Sequence, residues 1–439
     1  MRVTRGHAAL ALIAAIYLLL ATAYAFATPP WQAPDEPAHF NYVQYLAERG
    51  QLPVLQAGDY PAQILPLGPR TNLPSLAPFR YEAHQPPLYY ALGAVVYKLG
   101  GRLHALRLLS VLFGLLLLPV AYCCARLVLP EKGRLGLAAA AMAGLPPMVL
   151  FVDASVQNDS LADLVVSLLL LLYVALAAGW RRRWAWPALG LLLGAALLTK
   201  VTIYLPAALL AAGCVLLGSW RPKDPRAGFA RRLLLNGGQA AGAAAVVAGW
   251  WFVRNGLIYG WSDLFVQARQ KDVAAGQLQT GAFGEAQLMN FVAVSFHSFW
   301  GQFGWMSVPL PERDYALLEA FTAAVAAGWL AWGVRRLVSR GMSAALSGAL
   351  ASAGPAWLGL FLTWAAVLAG DVIYNLTFVQ PQGRYLFPAM VPIALFTVWG
   401  LAGLLPRRLW PGLAAALPLA LLLFSIYTLR HDVLPAFYG

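Results

Sequence analysis

RLLSVLFGLLLLPVAYCCARLV (residues 107–128) and LGLAAAAMAGLPPMVLFV (residues 135–152) are separated only by the hexapeptide LPEKGR. Each run reaches or approaches the ~20 apolar residues that cross a bilayer as a helix. Arg107 and Arg126 stand at the two ends of the first run, and Glu131, Lys132 and Arg134 place further charge between the runs. The pair reads as two membrane spans joined by a tight polar loop. Working outward, similar runs recur at 8–27, 161–178, 185–199, 201–218, 234–252, 315–334, 346–370, 386–404 and 411–428, which makes eleven. Two further stretches, 86–99 and 291–310, are short or interrupted. The first opens with Pro86-Pro87, and the second is broken by Gly301 and Gly304 and carries His297 and Gln302. Both read as interfacial or re-entrant segments outside the span count.

Composition agrees. Of 439 residues 60% are hydrophobic and 11% charged, far from the roughly one quarter charged of a soluble domain. The net charge of +13 does not point to nucleic acid, because the basic residues punctuate apolar runs and form no stripe. Cys123, Cys124 and Cys214 lie within apolar runs, where thiols act as small hydrophobes; neither a disulfide framework nor a zinc site is expected. The run 8–27 follows Arg2 and Arg5 and is long enough to span, so it reads as a retained signal anchor. The expected fold is all-α: one membrane domain over 1–439, a polytopic bundle of about eleven transmembrane helices. It has long outer loops at 28–106 and 254–314 and no soluble C-terminal domain.

Charge sets the orientation. With the N-terminus cytoplasmic and sides alternating, the inner pieces hold Arg2 and Arg5; Arg126, Lys132 and Arg134; Arg181, Arg182 and Arg183; Arg221, Lys223, Arg226, Arg231 and Arg232; Arg335, Arg336 and Arg340; and Arg407 and Arg408. Against these eighteen cations stand only Glu131 and Asp224, the pattern of the positive-inside rule. The outer first loop then deserves a function by its length. Within it, residues 36–49 read as a helix with Asp35 as N-cap candidate, Phe40, Val43 and Leu46 on one face, and Gly50 at its end.

Acidic residues at the outer helix ends are the candidates for chemistry. Asp35 and His39 are four apart, so on a helix they share a face and can take one divalent ion; alternatively Asp35 caps the helix with Glu36 at its positive end. Asp153, Asn158-Asp159-Ser160 and Asp163 form a second outer cluster, again with a capping alternative. Asp35 and Asp159 together suit a cation bound to a phosphorylated ligand. Lys200, Arg254 and Arg384 with Tyr385 fall at outer span ends; they either snorkel or hold a diphosphate or phosphodiester. His84 and Gln85 add polar groups at that level. The aromatic group Phe296, Phe299, Trp300, Phe303 and Trp305 reads as an interfacial belt. No Gly-x-Ser-x-Gly, Walker A or Gly-x-Gly-x-x-Gly occurs, so a nucleotide site has no support. A transporter or flippase of a lipid-linked or anionic substrate is the competing reading, but it calls for acids along a midplane path and paired interrupted helices.

The acidic pair after the first span, the long outer loop, His84-Gln85-Pro86-Pro87-Leu88-Tyr89-Tyr90 and Arg107-Leu108-Leu109-Ser110 together resemble the GT-C superfamily of membrane glycosyltransferases. Asn158-Asp159-Ser160-Leu161, Leu198-Thr199-Lys200, Arg254-Asn255 with Tyr259-Gly260, and Gly383-Arg384-Tyr385 add to the resemblance, which covers most of the chain. It implies a hexosyl or pentosyl transferase of the bacterial inner membrane. The donor would be a polyprenyl-phosphate sugar and the acceptor a glycan, lipid or protein. It also implies a catalytic or metal-binding role for Asp35, which Glu36 could share, a matching role for Asp159, and use of Mg²⁺ or Mn²⁺ in some members. Lys200, Arg254 and Arg384 have no firm counterparts in the superfamily; from charge and side, donor phosphate is expected at Lys200, Arg254, Arg384 and Tyr385, substrate at His84 and Gln85, and metal at Asp35, His39 and Asp159.

Overall fold

The computed structural model describes residues 5–60, 75–129, 134–221, 228–274, 277, 284–340 and 354–439. Lys132, Lys223, Arg226, Glu131 and Asp224 of the inner loops, and Arg2, lie outside them. The helices used below are α1 (Arg5–Ala27), α2 (Glu36–Arg49), α3 (Leu88–Lys98), α4 (Leu103–Val128), α5 (Leu135–Gly144), α6 (Pro147–Asp153), α7 (Asp159–Ala177), α8 (Ala185–Leu197), α9 (Tyr204–Ser219), α10 (Phe229–Tyr259), α11 (Gln267–Val273), α12 (Glu285–Trp300), α13 (Glu312–Arg340), α14 (Gly354–Asn375), α15 (Met390–Leu404) and α16 (Trp410–Thr428). Among the described residues, pairing of extended chain is confined to Gln302 with Pro309 and Phe303 with Val308.

Among the described residues, nine helices are long and apolar enough to cross a membrane, or ten if α5 and α6 count as one broken span. Two of the eleven expected runs do not form one straight helix of spanning length. The run 135–152 is bent by 57° between α5 and α6, where Pro146 and Pro147 lack the N–H groups that would continue the ladder. The run 185–199 forms only the thirteen-residue α8. The stretch 86–99 gives the eleven-residue α3, short of a span.

α4 packs against α1, α5 and α7, and burial there is nearly complete, as at Tyr17, Leu106, Leu118 and Ala138. The outward faces are the reverse: Leu19, Val246, Leu257, Leu317, Leu330 and Leu423 stand exposed on α1, α10, α13 and α16. So continuous an exposed apolar belt is unfavourable in water and natural in lipid. Buried polar groups pair within the bundle, as a hydrocarbon surround requires. The Tyr24 hydroxyl lies 2.7 Å from Thr428 Oγ1 and donates to the Ser425 carbonyl at 3.0 Å, and Ser425 Oγ donates to the Leu145 carbonyl at 2.5 Å. One end of this bundle gathers the start of α2, the 3-10 turn Tyr81–His84, the start of α7, the turn Val201–Ile203 before α9 and the 3-10 turn Gly383–Ala389 before α15.

Candidate active site

Helix α2 begins and ends where the sequence indicates, and Gly50 closes it with a left-handed φ of 65°. Asp35, however, does not cap it. Its own φ is 66°, a left-handed conformation rare outside glycine, and its side chain makes no capping bond. The carboxylate turns away: Oδ1 accepts from the Tyr81 hydroxyl at 2.9 Å, and Oδ2 accepts from Arg384 Nη2. Burial pushes the Asp35 carboxyl up, but Arg384 and the Tyr81 hydroxyl outweigh it and hold the group below its ordinary value.

Arg384 is the hub. Nε donates to Gln382 Oε1 at 2.6 Å, Nη1 donates to Gln157 Oε1 at 2.8 Å, and Nη1 also stands 3.7 Å from Asp159 Oδ2. Asp159 in turn is ion-paired with Lys200. Asp35, Arg384, Asp159 and Lys200 thus form one alternating chain of charge drawn from four distant segments. Asp35 is its most accessible carboxylate, at 19% side-chain exposure against 9% for Asp159. The turn carrying Arg384 is fixed by Gly383, whose N–H donates to Ser298 Oγ at 2.7 Å; a Cβ there would overlap the backbone of Ser295 and Phe299 in α12.

Around the chain lie the remaining expected polar groups. His39 Nδ1 is 2.7 Å from the Tyr90 hydroxyl, and Tyr90 stacks on Tyr42 with ring centres 3.7 Å apart. Burial lowers the His39 imidazole, against the pull of Glu82 and Asp35. His84 Nδ1 donates to the Tyr81 carbonyl at 2.9 Å, and burial takes this imidazole down to about 4. Gln85 Oε1 accepts from Asn158 Nδ2 at 3.4 Å, and Asn158 also donates to the Thr199 carbonyl at 3.0 Å. The Tyr385 ring lies 5.4 Å from the Arg384 guanidinium and packs edge-on against Tyr374.

Three expected residues are placed differently. Glu36 is fully buried, with Oε1 accepting from Arg107 Nε (2.7 Å) and the Val156 N–H (3.1 Å), and Oε2 from Arg107 Nη2 (2.6 Å) and the Trp31 N–H (3.1 Å). Arg107 closes the knot on the carbonyls of Ala25, Thr28 and Pro29. Every oxygen direction of Glu36 is in use, so its carboxylate has no acceptor left for a substrate. Arg254 donates to the Pro53 carbonyl at 2.7 Å and stacks over Trp251 at 4.9 Å, holding the first loop to α10 rather than joining the charge chain. Asp153 accepts from the Tyr17 hydroxyl at 2.7 Å inside the bundle.

Sequence reading passed over Tyr81, Gln157 and Gln382, which complete the partners of Asp35 and Arg384. It also passed over Glu82, a buried carboxyl pushed up by burial, whose Oε2 has no hydrogen-bond partner among the described residues. Only position close to quoted motifs marked any of them. The expected metal set is another matter. Among the described residues, no group of three or more His, Cys, Asp or Glu stands arranged to hold a metal ion. Asp35 and Asp159 are neutralised by Arg384 and Lys200, and His39 Nδ1 is engaged by Tyr90. As arranged, these donors do not fit a divalent ion.

A family model described as dolichyl-phosphate-mannose-protein mannosyltransferase matches residues 84–228, the stretch that carries His84, Gln85, Asp159 and Lys200. Among solved structures, the chain is similar to ArnT from Cupriavidus metallidurans bound to undecaprenyl phosphate, at 16% identity over 97% of this chain and 73% of that one, with a TM-score of 0.51. The chain has the GT-C fold. It is also similar to the Archaeoglobus fulgidus oligosaccharyltransferase in complex with Zn and sulfate, at 14% identity over 97% of this chain and 53% of that one, TM-score 0.49. No curated protein sequence matches. In this GT-C fold the charge chain sits where α2, α7, α9 and α15 converge, at one end of the spans.

Proposed function

We propose that this protein transfers a glycosyl group from a polyprenyl-phosphate-linked donor to an acceptor hydroxyl at the outer face of the membrane. The observation that carries the reading is the chain Asp35–Arg384–Asp159–Lys200: two cations with hydrogen-bonding capacity for phosphate, each held by a carboxylate that a phosphate can replace. The GT-C fold, the mannosyltransferase family model and the undecaprenyl phosphate bound by ArnT support a lipid-phosphate donor.

The chemistry follows from charge. Donor phosphate draws Arg384 and Lys200 toward itself, the guanidinium fork matching its oxygens. Asp35, relieved of Arg384, moves back toward an ordinary carboxylate and becomes the stronger base. The acceptor hydroxyl gives its proton to Asp35, and the acceptor oxygen bonds to the anomeric carbon. The bond from that carbon to the phosphate oxygen breaks, and its electron pair leaves on the phosphate, where Arg384 and Lys200 stabilise the charge. A single displacement of this kind inverts the anomeric centre. Tyr385 and Gln157 orient Arg384, while His84 and Gln85 line the acceptor side. Glu36 positions Asp35 from behind through the Arg107 knot. No step is assigned to a divalent ion, since Asp35, Asp159 and His39 as arranged are engaged by Arg384, Lys200 and Tyr90.

The test is transfer from a panel of radiolabelled polyprenyl-phosphate hexoses and pentoses by the protein in liposomes, with and without EDTA. Donor-dependent labelled product is expected. Labelled lipid that crosses the bilayer with no donor consumed sinks the transferase reading in favour of a flippase. Loss of product in EDTA shows that transfer needs a divalent ion.

A further inference from the structure

The opposite end of the bundle holds a second polar construction. α13 and α15 cross so closely that a Cβ on Gly328, Gly400 or Gly403 would overlap the facing backbone. Small residues allow such crossings in membranes. At this crossing a cavity of about 270 Å³ opens between α13, the end of α15 and the turn Arg407–Leu409 that leads into α16. Trp332, Trp399 and Trp410 wall it together with Arg335 and Arg407, and Gly403 forms part of its floor. From Arg384 to Gly403 the chain climbs roughly 30 Å at the rise of a helix, so the cavity lies a membrane thickness from the candidate active site.

The cavity is shaped and cationic. Trp410 Nε1 donates to the Ala402 carbonyl at 3.1 Å, which pins that ring. Arg407 stands 5.8 Å from the Trp410 ring centre, and Arg336 stands 5.2 Å from that of Trp332. Arg335 donates to the Gly403 carbonyl, which leaves most of its N–H groups for another acceptor. Among the described residues no carboxylate lines the space. The sequence carries no Asp or Glu between Glu319 and Asp371, nor between Asp371 and Asp432. The rim supplies the other half of the argument, because Val338, Leu404 and Leu409 are exposed apolar side chains beside the arginines.

We propose that this cavity binds the phosphate headgroup of an anionic phospholipid in the leaflet opposite the candidate active site. The two guanidiniums take the phosphate oxygens, the indoles sit at headgroup depth, and the apolar rim receives the acyl chains. Basic pockets between membrane helices on the cytoplasmic side hold anionic headgroups by this chemistry, and the positive-inside reading puts this end there. The proposal is independent of the glycosyl-transfer reading.

Native mass spectrometry of the full-length protein tests it, after incubation with phosphatidylglycerol or phosphatidylcholine. The wild-type protein retains one phosphatidylglycerol in preference to phosphatidylcholine. Arg335→Gln with Arg407→Gln lowers that retention about tenfold or more, at about 1 kcal/mol per arginine. Arg335→Lys with Arg407→Lys keeps most of it, which separates lost charge from lost folding, and Arg182→Gln in a different basic loop leaves it unchanged. Equal retention by the wild-type and double Gln proteins, or equal retention of both lipids, overturns the site. Displacement of phosphatidylglycerol by excess inorganic phosphate overturns the lipid source in favour of a soluble phosphate.

Discussion

Arg384 donates through Nη2 to Asp35 Oδ2, joining residues 349 positions apart in sequence. The same guanidinium reaches Gln382, Gln157 and Asp159. One side chain therefore registers the segment before α2, the start of α7 and the start of α15 against one another. In the proposed reaction that contact is also the one the donor phosphate breaks.

Arg384→Lys keeps the charge and loses the fork. An ammonium cannot hold Gln382, Gln157 and Asp35 together, nor grip phosphate at two points. The expected result is a rise of about tenfold or more in the KM for the lipid donor, with a folded protein, read from initial rates across donor concentrations.

Gly383→Ala tests the placement of that guanidinium without touching it. The added methyl overlaps the α12 backbone at Ser295 and Phe299, so the turn must shift. Overpacking of this kind costs about 1–3 kcal/mol. Both the thermal midpoint and the transfer rate are expected to fall, and Gly383→Ala at wild-type activity would show that the close approach is dispensable.

Removing one partner of the Glu36–Arg107 knot leaves a buried charge with its carbonyl or N–H partners unmatched. Arg107→Ala and Glu36→Ala are each expected to destabilise by about 3–5 kcal/mol, visible as lost yield and a lower thermal midpoint in detergent. If Glu36→Gln instead keeps full stability but loses turnover, Glu36 acts in the chemistry and the positioning role fails.

Acid sensitivity has a defined source. His84 titrates near 4 in the folded protein because of burial, against about 6.5 when unfolded. The unfolded chain binds the extra proton between these values, so stability falls as pH drops from about 6.5 to about 4. Asp35 acts in the same direction at lower pH: its depressed value gives stability that is present above the ordinary carboxylate range and lost as pH falls through the folded value. His84→Asn should flatten the thermal midpoint between pH 6.5 and 4, and an unchanged slope would place the titration elsewhere.

Much of this architecture was legible from patterning. The apolar runs located the helices, and the periodicity of residues 36–49 gave α2 with its ends. The bend at Pro146-Pro147 stood in the sequence but was passed over because hydropathy counts apolar residues and not missing N–H groups. Part of the candidate site was legible by residue type, as Asp35, Asp159, Lys200 and Arg384 converge. Its wiring was not, since a left-handed Asp35 and a contact spanning 349 residues leave no local signal. Arg254 and Glu36 show the same limit from the other direction. Each is of the expected type, yet loop carbonyls and Arg107 engage them.

Asp35→Asn tests the central claim most directly. Asparagine keeps the size of the side chain and an oxygen for Arg384 but cannot accept the acceptor proton. The measurement pairs steady-state transfer with donor binding in the same liposomes. The account predicts turnover down about 10²–10⁴-fold, the range of a lost general base, with donor bound within a few-fold of wild type. Turnover within a few-fold of wild type would contradict it, and would move the base to another group of the site.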